Sequence, residues 1–291
     1  MISIDSMMVC LDLSDIDEKL VAFTRSICMR LPVNKVYFVH NIKTSELSDE
    51  FKEYFGDVDL AKEVEENIDD IVTDQFSNAT DYEILVSEEP NTEVILAELV
   101  KRYQVKVTLL GKRMSDKSTG ALGSKLLRVL PCSLLVFPET ARFDIGKVLA
   151  PIDFSDASVH ALRLSKSLAD QLGLRLDIMH VYKLPTQYFP LISEEKAIKK
   201  AEEVVKEKFN SLQRHHPEIA EVPYTLVRAA GKSIADRINL QLQKGKYDLL
   251  VLGLKGSNPL PSLSLGSVPT ELYNMDIDVP LWLVYSEAVI K

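Results

Sequence analysis

No apolar run in this chain approaches the roughly 18 residues a membrane-spanning helix requires. The opening stretch MISIDSMMVCLDLSD carries aspartates and no basic n-region, so it does not read as a secretory signal. A soluble, cytoplasmic protein is the expectation. Cysteine is scarce: Cys10, Cys28 and Cys132 are odd in number and widely spaced, with no C-x-x-C among them. That excludes a zinc or thiol-redox site of the usual spacing, and Cys10, inside an apolar run, reads as a small buried hydrophobe. A basic surface is missing too. Residues 1–141 hold 15 basic and 25 acidic side chains, the remainder 19 and 18, and neither balance suits a nucleic-acid binder. Nothing resembles a Walker lysine motif, a nucleophile elbow or a metal-ligand cluster.

What is present is a globular chain of 291 residues, 46% apolar and 26% charged, long enough for two cores. Much of the acidity lies between Glu46 and Asp74, as in KEVEENIDDIVTD, and reads as one solvated helix face. His215 and His216, ahead of Pro217, have no partner ligand at metal spacing and read as a solvated helix end.

The chain reads twice. Asp12 and Ser14 in MMVCLDLSDIDEKL match Asp153 and Ser155 in GKVLAPIDFSDASVHAL at an offset of 141. VYFVHNI matches LDIMHVY, with His40 and His180 in step; VKVTLLG matches YDLLVLG; CSLLVF matches VPLWLVY. Agreement in order along the whole length indicates a tandem duplication. The join falls near PETARFDIGK, giving domains 1–141 and 142–291. In the second half strands are expected near 147–152, 176–182, 223–228, 248–252 and 281–285. Helices are expected near 156–172, 193–215, 232–245 and 267–275. In the first of these Val159, Leu162, Leu164, Leu168 and Leu172 mark one buried face. Alternation of short apolar strands with helices implies, for each half, an open α/β sandwich around a five-stranded, mainly parallel sheet.

Such sheets take ligands outside the carboxyl ends of their strands, where the strand order switches direction. If the order is 3-2-1-4-5, the first and fourth strands are neighbours, and Asp153 comes beside Gly253. The segment GLKGSNPLPSLSLGSVP begins there. Glycines after a strand and before a helix either let the backbone approach a phosphate or serve plain turn chemistry. On the first reading, N–H groups from Gly253 to Ser257 turn inward, because glycine tolerates positive φ. Ser267 serves as helix N-cap and phosphate ligand, and Pro269 falls in the first turn, where a missing N–H costs nothing. Each hydrogen bond to a charged oxygen contributes roughly 1.5–3 kcal/mol, so four or five suffice for micromolar binding after ordering costs.

The spacing G-x2-G-x9-G-S, carried by Gly253, Gly256, Gly266 and Ser267 behind an apolar strand and paired with the Asp of VLAPIDFSDAS, resembles the ATP-binding motif of the universal stress proteins. The resemblance covers both halves. It implies strand order 3-2-1-4-5, dimerisation through the last strand, and ATP in many but not all members; here ATP with Mg²⁺ is expected in the second half only. Carried over, Pro151, Ile152, Asp153 and Val181 would meet the adenosine end. Leu252, Gly253, Lys255, Gly256, Gly266, Ser267 and Val268 would line ribose and phosphates. Lys255 stands where the family often has Arg; it supplies charge without a bidentate fork.

The first half departs from the motif. Met114 replaces the second glycine. Matching Gly123-Ser124 to the terminal Gly-Ser leaves the last helix a turn short, and matching Gly120-Ala121 shortens the loop by four residues and loses the serine. Either way the cradle is damaged, and the acidity of that half disfavours a polyanion. Asp12 and Asp153 could also assist helix capping, though Ser14 and Ser155 suit that role better. His40 and His180 read as packed or turn residues, Trp282 as core or interface, and Lys112, Arg113 and Lys117 as a solvated loop rather than an anion site. The leading expectation is an ATP-binding stress-response or signalling protein that is not an enzyme. The two halves should form a pseudo-dimer with CSLLVF near PLWLVY, and whole chains could dimerise further. The alternatives are an interaction module without nucleotide, or a slow ATPase; the SGGxDS-type pyrophosphate loop of several adenine-nucleotide hydrolases is absent.

Overall fold

A computed structural model describes residues 2–43, 58–76, 80–113, 117–184, 193–254 and 266–285, with no side-chain detail at 117–121. The chain divides into two compact units, Met1–Phe143 with Asp278–Lys291, and Asp144–Ile277.

Unit one runs β1 (Ile4–Cys10), α1 (Ile16–Arg30), β2 (Val33–Asn41), α2 (Leu60–Phe76), β3 (Asp81–Ser87), α3 (Thr92–Arg102), β4 (Val107–Lys112), α4 (Lys117–Val129) and β5 (Ser133–Pro138). Its strands pair in parallel in the order β3-β2-β1-β4-β5. Met7, Met8 and Val9 are consecutive in β1 and all fully buried, as expected for a strand covered on both faces. α1 lays Ile16, Leu20 and Phe23 inward, and Phe23 meets Phe137 of β5 with ring centroids 4.5 Å apart. The last strand of the chain, β10 (Leu281–Val284), completes this unit: it pairs antiparallel with β5, Leu281 opposite Val136 and Leu283 opposite Leu134. The segments CSLLVF and PLWLVY therefore lie side by side, as the repeat suggests. Trp282, opposite Leu135, is buried. By compactness this strand belongs with the first repeat, although by sequence it closes the second.

Unit two runs β6 (Lys147–Pro151), α5 (Asp156–Leu172), β7 (Arg175–Tyr182), α6 (Glu194–His215), β8 (Tyr224–Arg228), α7 (Ile234–Gly245), β9 (Leu249–Gly253) and α8 (Ser267–Asn274). Its strands pair in parallel in the order β8-β7-β6-β9, so the first and fourth are neighbours. Among the described residues the chain thus has ten strands and eight α-helices, in two α/β units. Local chemistry accounts for the helix ends. Ser155 caps α5 by accepting the Ser158 N–H, and Gly173 ends it at φ +68, where a Cβ would be strained. Ser233 and Asp236 form a reciprocal capping box at the start of α7. At the amino edge of the sheet Asp248 accepts N–H groups from Gly146 and Lys147. Beside it Asp177 takes the Tyr247 hydroxyl at 2.8 Å and the Lys147 ammonium at 3.1 Å. That network leaves the opposite, carboxyl edge open to function.

Candidate functional site

Strand β6 ends at Pro151, and the next three residues make a sharp passage into α5. Ile152 is buried and donates its N–H to Met179 O of β7. Asp153 is exposed, and its Oδ1 accepts both the N–H and the hydroxyl of Ser155. Phe154 is left-handed at φ +64. Its ring is anchored edge-on to Phe209 at 5.0 Å and beside His180 at 4.9 Å, with the Lys208 ammonium 5.5 Å above it. His180 donates Nδ1–H to Ile152 O at 2.7 Å, and burial lowers its pKa, which keeps the ring neutral near pH 7. His40 makes the same bond to Leu11 O at 2.9 Å. Both histidines tie the end of a second strand to the end of a first, a packing role.

Gly253 ends β9 next to β6. A Cβ there would stand 2.6 Å from the carbonyl carbon and oxygen of Ala157 and 2.9 Å from Ser158 N. Glycine is required because the first turn of α5 rests directly on the strand. Its φ is not positive, and neither is that of Gly266. The sequence expectation that Gly253 turns an N–H inward through a left-handed backbone is therefore corrected: what the position uses is the missing side chain. Leu252 and Val181 are buried in β9 and β7.

The N-cap of α8 is Gly266, not Ser267. Gly266 O accepts the Thr270 N–H at 3.3 Å and the Thr270 hydroxyl at 3.1 Å, which makes Ser267 the first helical residue. Ser267 is exposed, Val268 half-buried, and Pro269 sits buried in the first turn as expected. Gly266 N donates to Leu254 O at 3.3 Å, which holds the start of α8 at the carboxyl end of β9. Lys255 and Gly256 lie outside the described residues. The structure thus brings Pro151, Ile152, Asp153, Val181, Leu252, Gly253, Gly266, Ser267 and Val268 to the carboxyl edge of unit two.

The corresponding edge of unit one is built differently. Helix α4 starts at Lys117, so Gly120, Gly123 and Ser124 all fall within it and neither candidate pair caps its start. Arg113, in the position that matches Lys255, is not simply solvated: its Nη2 lies 3.3 Å from Oδ2 of Asp12, the match of Asp153. Lys117 is described in backbone only. Sequence reasoning missed Ser158, whose hydroxyl accepts the Asp153 N–H at 3.3 Å, and its match Asp17. The repeat offset already aligned both; nothing local marks either as functional.

Residues 145–279 match the sequence model of the universal stress protein family. No protein of curated function matches the sequence. Among solved structures, a universal stress protein from Archaeoglobus fulgidus DSM 4304 is similar over 96% of this chain and 96% of its own, at 15% identity and TM-score 0.62. A functionally unknown protein from Pseudomonas aeruginosa PAO1 is similar over 97% of this chain and 92% of its own, at 16% identity and TM-score 0.64. A universal stress protein from Archaeoglobus fulgidus in complex with dAMP covers 47% of this chain and 98% of its own, at 16% identity and TM-score 0.34. The full-length likenesses establish the fold of both units, and residues 145–279, within the second repeat, carry the sequence pattern of the universal stress protein family.

Proposed function

We propose that unit two binds ATP at the carboxyl edge of its sheet and that the protein acts in stress response or signalling through that binding rather than as an enzyme. The observation that carries this reading is the meeting of Gly266 with Leu254. It sets the first turn of α8 beside the end of β9, itself the neighbour of β6, whose end at Pro151 leads into Asp153. Backbone N–H groups in the first turn of a helix have no partner within it and favour an anion. Ser267 and Val268 would supply such donors, and Lys255 and Gly256 would extend the cradle. Pro151, Ile152 and Val181 offer an apolar edge for adenine, and Asp153 an acceptor for ribose hydroxyls. Mg²⁺ would be held by phosphate oxygens and water, since the described residues bring no three His, Cys, Asp or Glu side chains together.

Hydrolysis would need an oriented water, a base and charge stabilisation at the γ-phosphate. Ser267 is no base, His180 is engaged with Ile152 O, and Asp153 is committed to the adenosine end. Nucleotide would instead act as a switch by its different affinity for two states; segment 255–265, where that effect is expected, lies outside the described residues. Calorimetric titration of the full chain with MgATP tests the reading. One site per chain is expected; absence of binding would favour a module that works through association alone.

A further inference from the structure

In both units the end of the first strand enters its helix through one left-handed residue, Leu13 at φ +61 and Phe154 at φ +64. The side chain five residues after the strand-end aspartate receives the backbone of that turn. In unit two it is Ser158, whose Oγ accepts the Asp153 N–H and donates to Ser155 O at 3.0 Å. In unit one it is Asp17, whose Oδ1 accepts the Asp12 N–H at 3.2 Å and whose Oδ2 accepts the Leu13 N–H at 2.8 Å. Asp17 is only 1% exposed. A neutral hydroxyl and an ionisable carboxyl thus both accept the N–H of the aspartate at matching positions, so that bond does not demand the acid; Asp17 takes the Leu13 N–H in addition. Ser158 also adjoins the candidate site: its N stands 2.9 Å from where a Cβ at Gly253 would be, just beyond the Ala157 carbonyl at 2.6 Å.

We propose that this position decides which unit accepts a polyanion: the hydroxyl of Ser158 leaves unit two open to phosphate, whereas the carboxylate of Asp17 turns phosphate away from unit one. Arg113, the match of Lys255, reinforces the difference because its guanidinium already faces Asp12 within the chain. Unit one thus carries two acidic side chains, Asp12 and the buried Asp17, in the passage from strand to helix where unit two carries only Asp153. The inference rests on nucleotide binding by unit two.

The test moves the unit-one arrangement into unit two. Ser158→Asp and Ser158→Asn are titrated with MgATP in the full chain at pH 8, above the value of about 7 to which burial pushes Asp17. Ser158→Asp should weaken binding at least tenfold, and Ser158→Asn, of the same shape without charge, by less than threefold. Equal affinity of Ser158→Asp and the unaltered chain would overturn the proposal, as would an equal loss in both variants, which would make the effect steric. An acid in the first turn suits the helix dipole, so Ser158→Asp should fold. A variant that circular dichroism shows unfolded would refute the equivalence of the two turns. If the unaltered chain binds no ATP, nucleotide binding and this inference fall together; binding that Ser158→Asp leaves intact overturns this inference alone.

Discussion

Replacing Gly253 by alanine adds one methyl group at a place where three backbone atoms already stand within 2.9 Å of it. Ordinary contact distances are 3.4 Å or more, so the first turn of α5 must retreat from β9 by close to an ångström. Backbone in a packed helix cannot step aside as a side-chain end can, and overpacking of this kind costs about 1–3 kcal/mol. The matching substitution in unit one, Gly111→Ala, provides the control. Its Cβ would meet Ile16 Cδ1 at 3.0 Å, Ile16 Cγ2 at 3.2 Å and Leu20 Cδ1 at 3.2 Å, all side-chain atoms at longer range than the backbone around Gly253, so the cost should be smaller, about 1 kcal/mol. Denaturant unfolding of the full chain, read in both variants, measures the difference. Unit two should lose about 2 kcal/mol with Gly253→Ala, or roughly 4–8 °C in midpoint on the usual scaling for domains of this size. Binding should weaken as well, because Asp153 and Ser158 ride on the displaced turn. Equal small losses in the two variants would refute the close approach of helix and strand and return Gly253 to plain turn chemistry.

Asp17, raised from an ordinary carboxyl value to about 7 by burial, binds its proton more tightly folded than unfolded. Its contribution is therefore present below pH 4 and lost as pH rises from 4 to 7. Asp17→Asn should flatten that part of the stability curve, by an amount on the order of 4 kcal/mol or less; identical pH profiles would contradict the assignment. Tyr247→Phe leaves Asp177 without a hydroxyl donor and should cost about 1 kcal/mol by thermal denaturation. MgATP should slow hydrogen exchange or proteolysis between Gly256 and Gly266, with turnover well below about 1 per second. Ordinary enzyme rates, or protection that is the same without nucleotide, would rule out the switch.

The architecture was legible because period and repeat agree. Helix 156–172 is found at Asp156–Leu172, and the strands expected near 223–228 and 248–252 are Tyr224–Arg228 and Leu249–Gly253. Runs bounded by Ser155, Gly173 and Pro223 leave little room for other boundaries. The site was legible as a set of positions, less so as a set of contacts. Spacing marks Gly253 as special but cannot say whether a ligand or a helix occupies the space its side chain would fill. It cannot distinguish Gly266 from Ser267 as cap, since both tolerate that position. The partners of Arg113 and Asp17 come from β1 and its turn; in Arg113's case Asp12 stands about a hundred residues away in sequence. Such contacts follow from strand order and exact register, which periodicity does not resolve.

The central claim, that one intact nucleotide site is carried by the second repeat, meets its most direct test in calorimetric titration of the full chain with MgATP, alone and as Gly256→Val. One site per chain, abolished by Gly256→Val with the fold retained, is the predicted result. Two equivalent sites per chain, or an affinity that survives Gly256→Val, would contradict it.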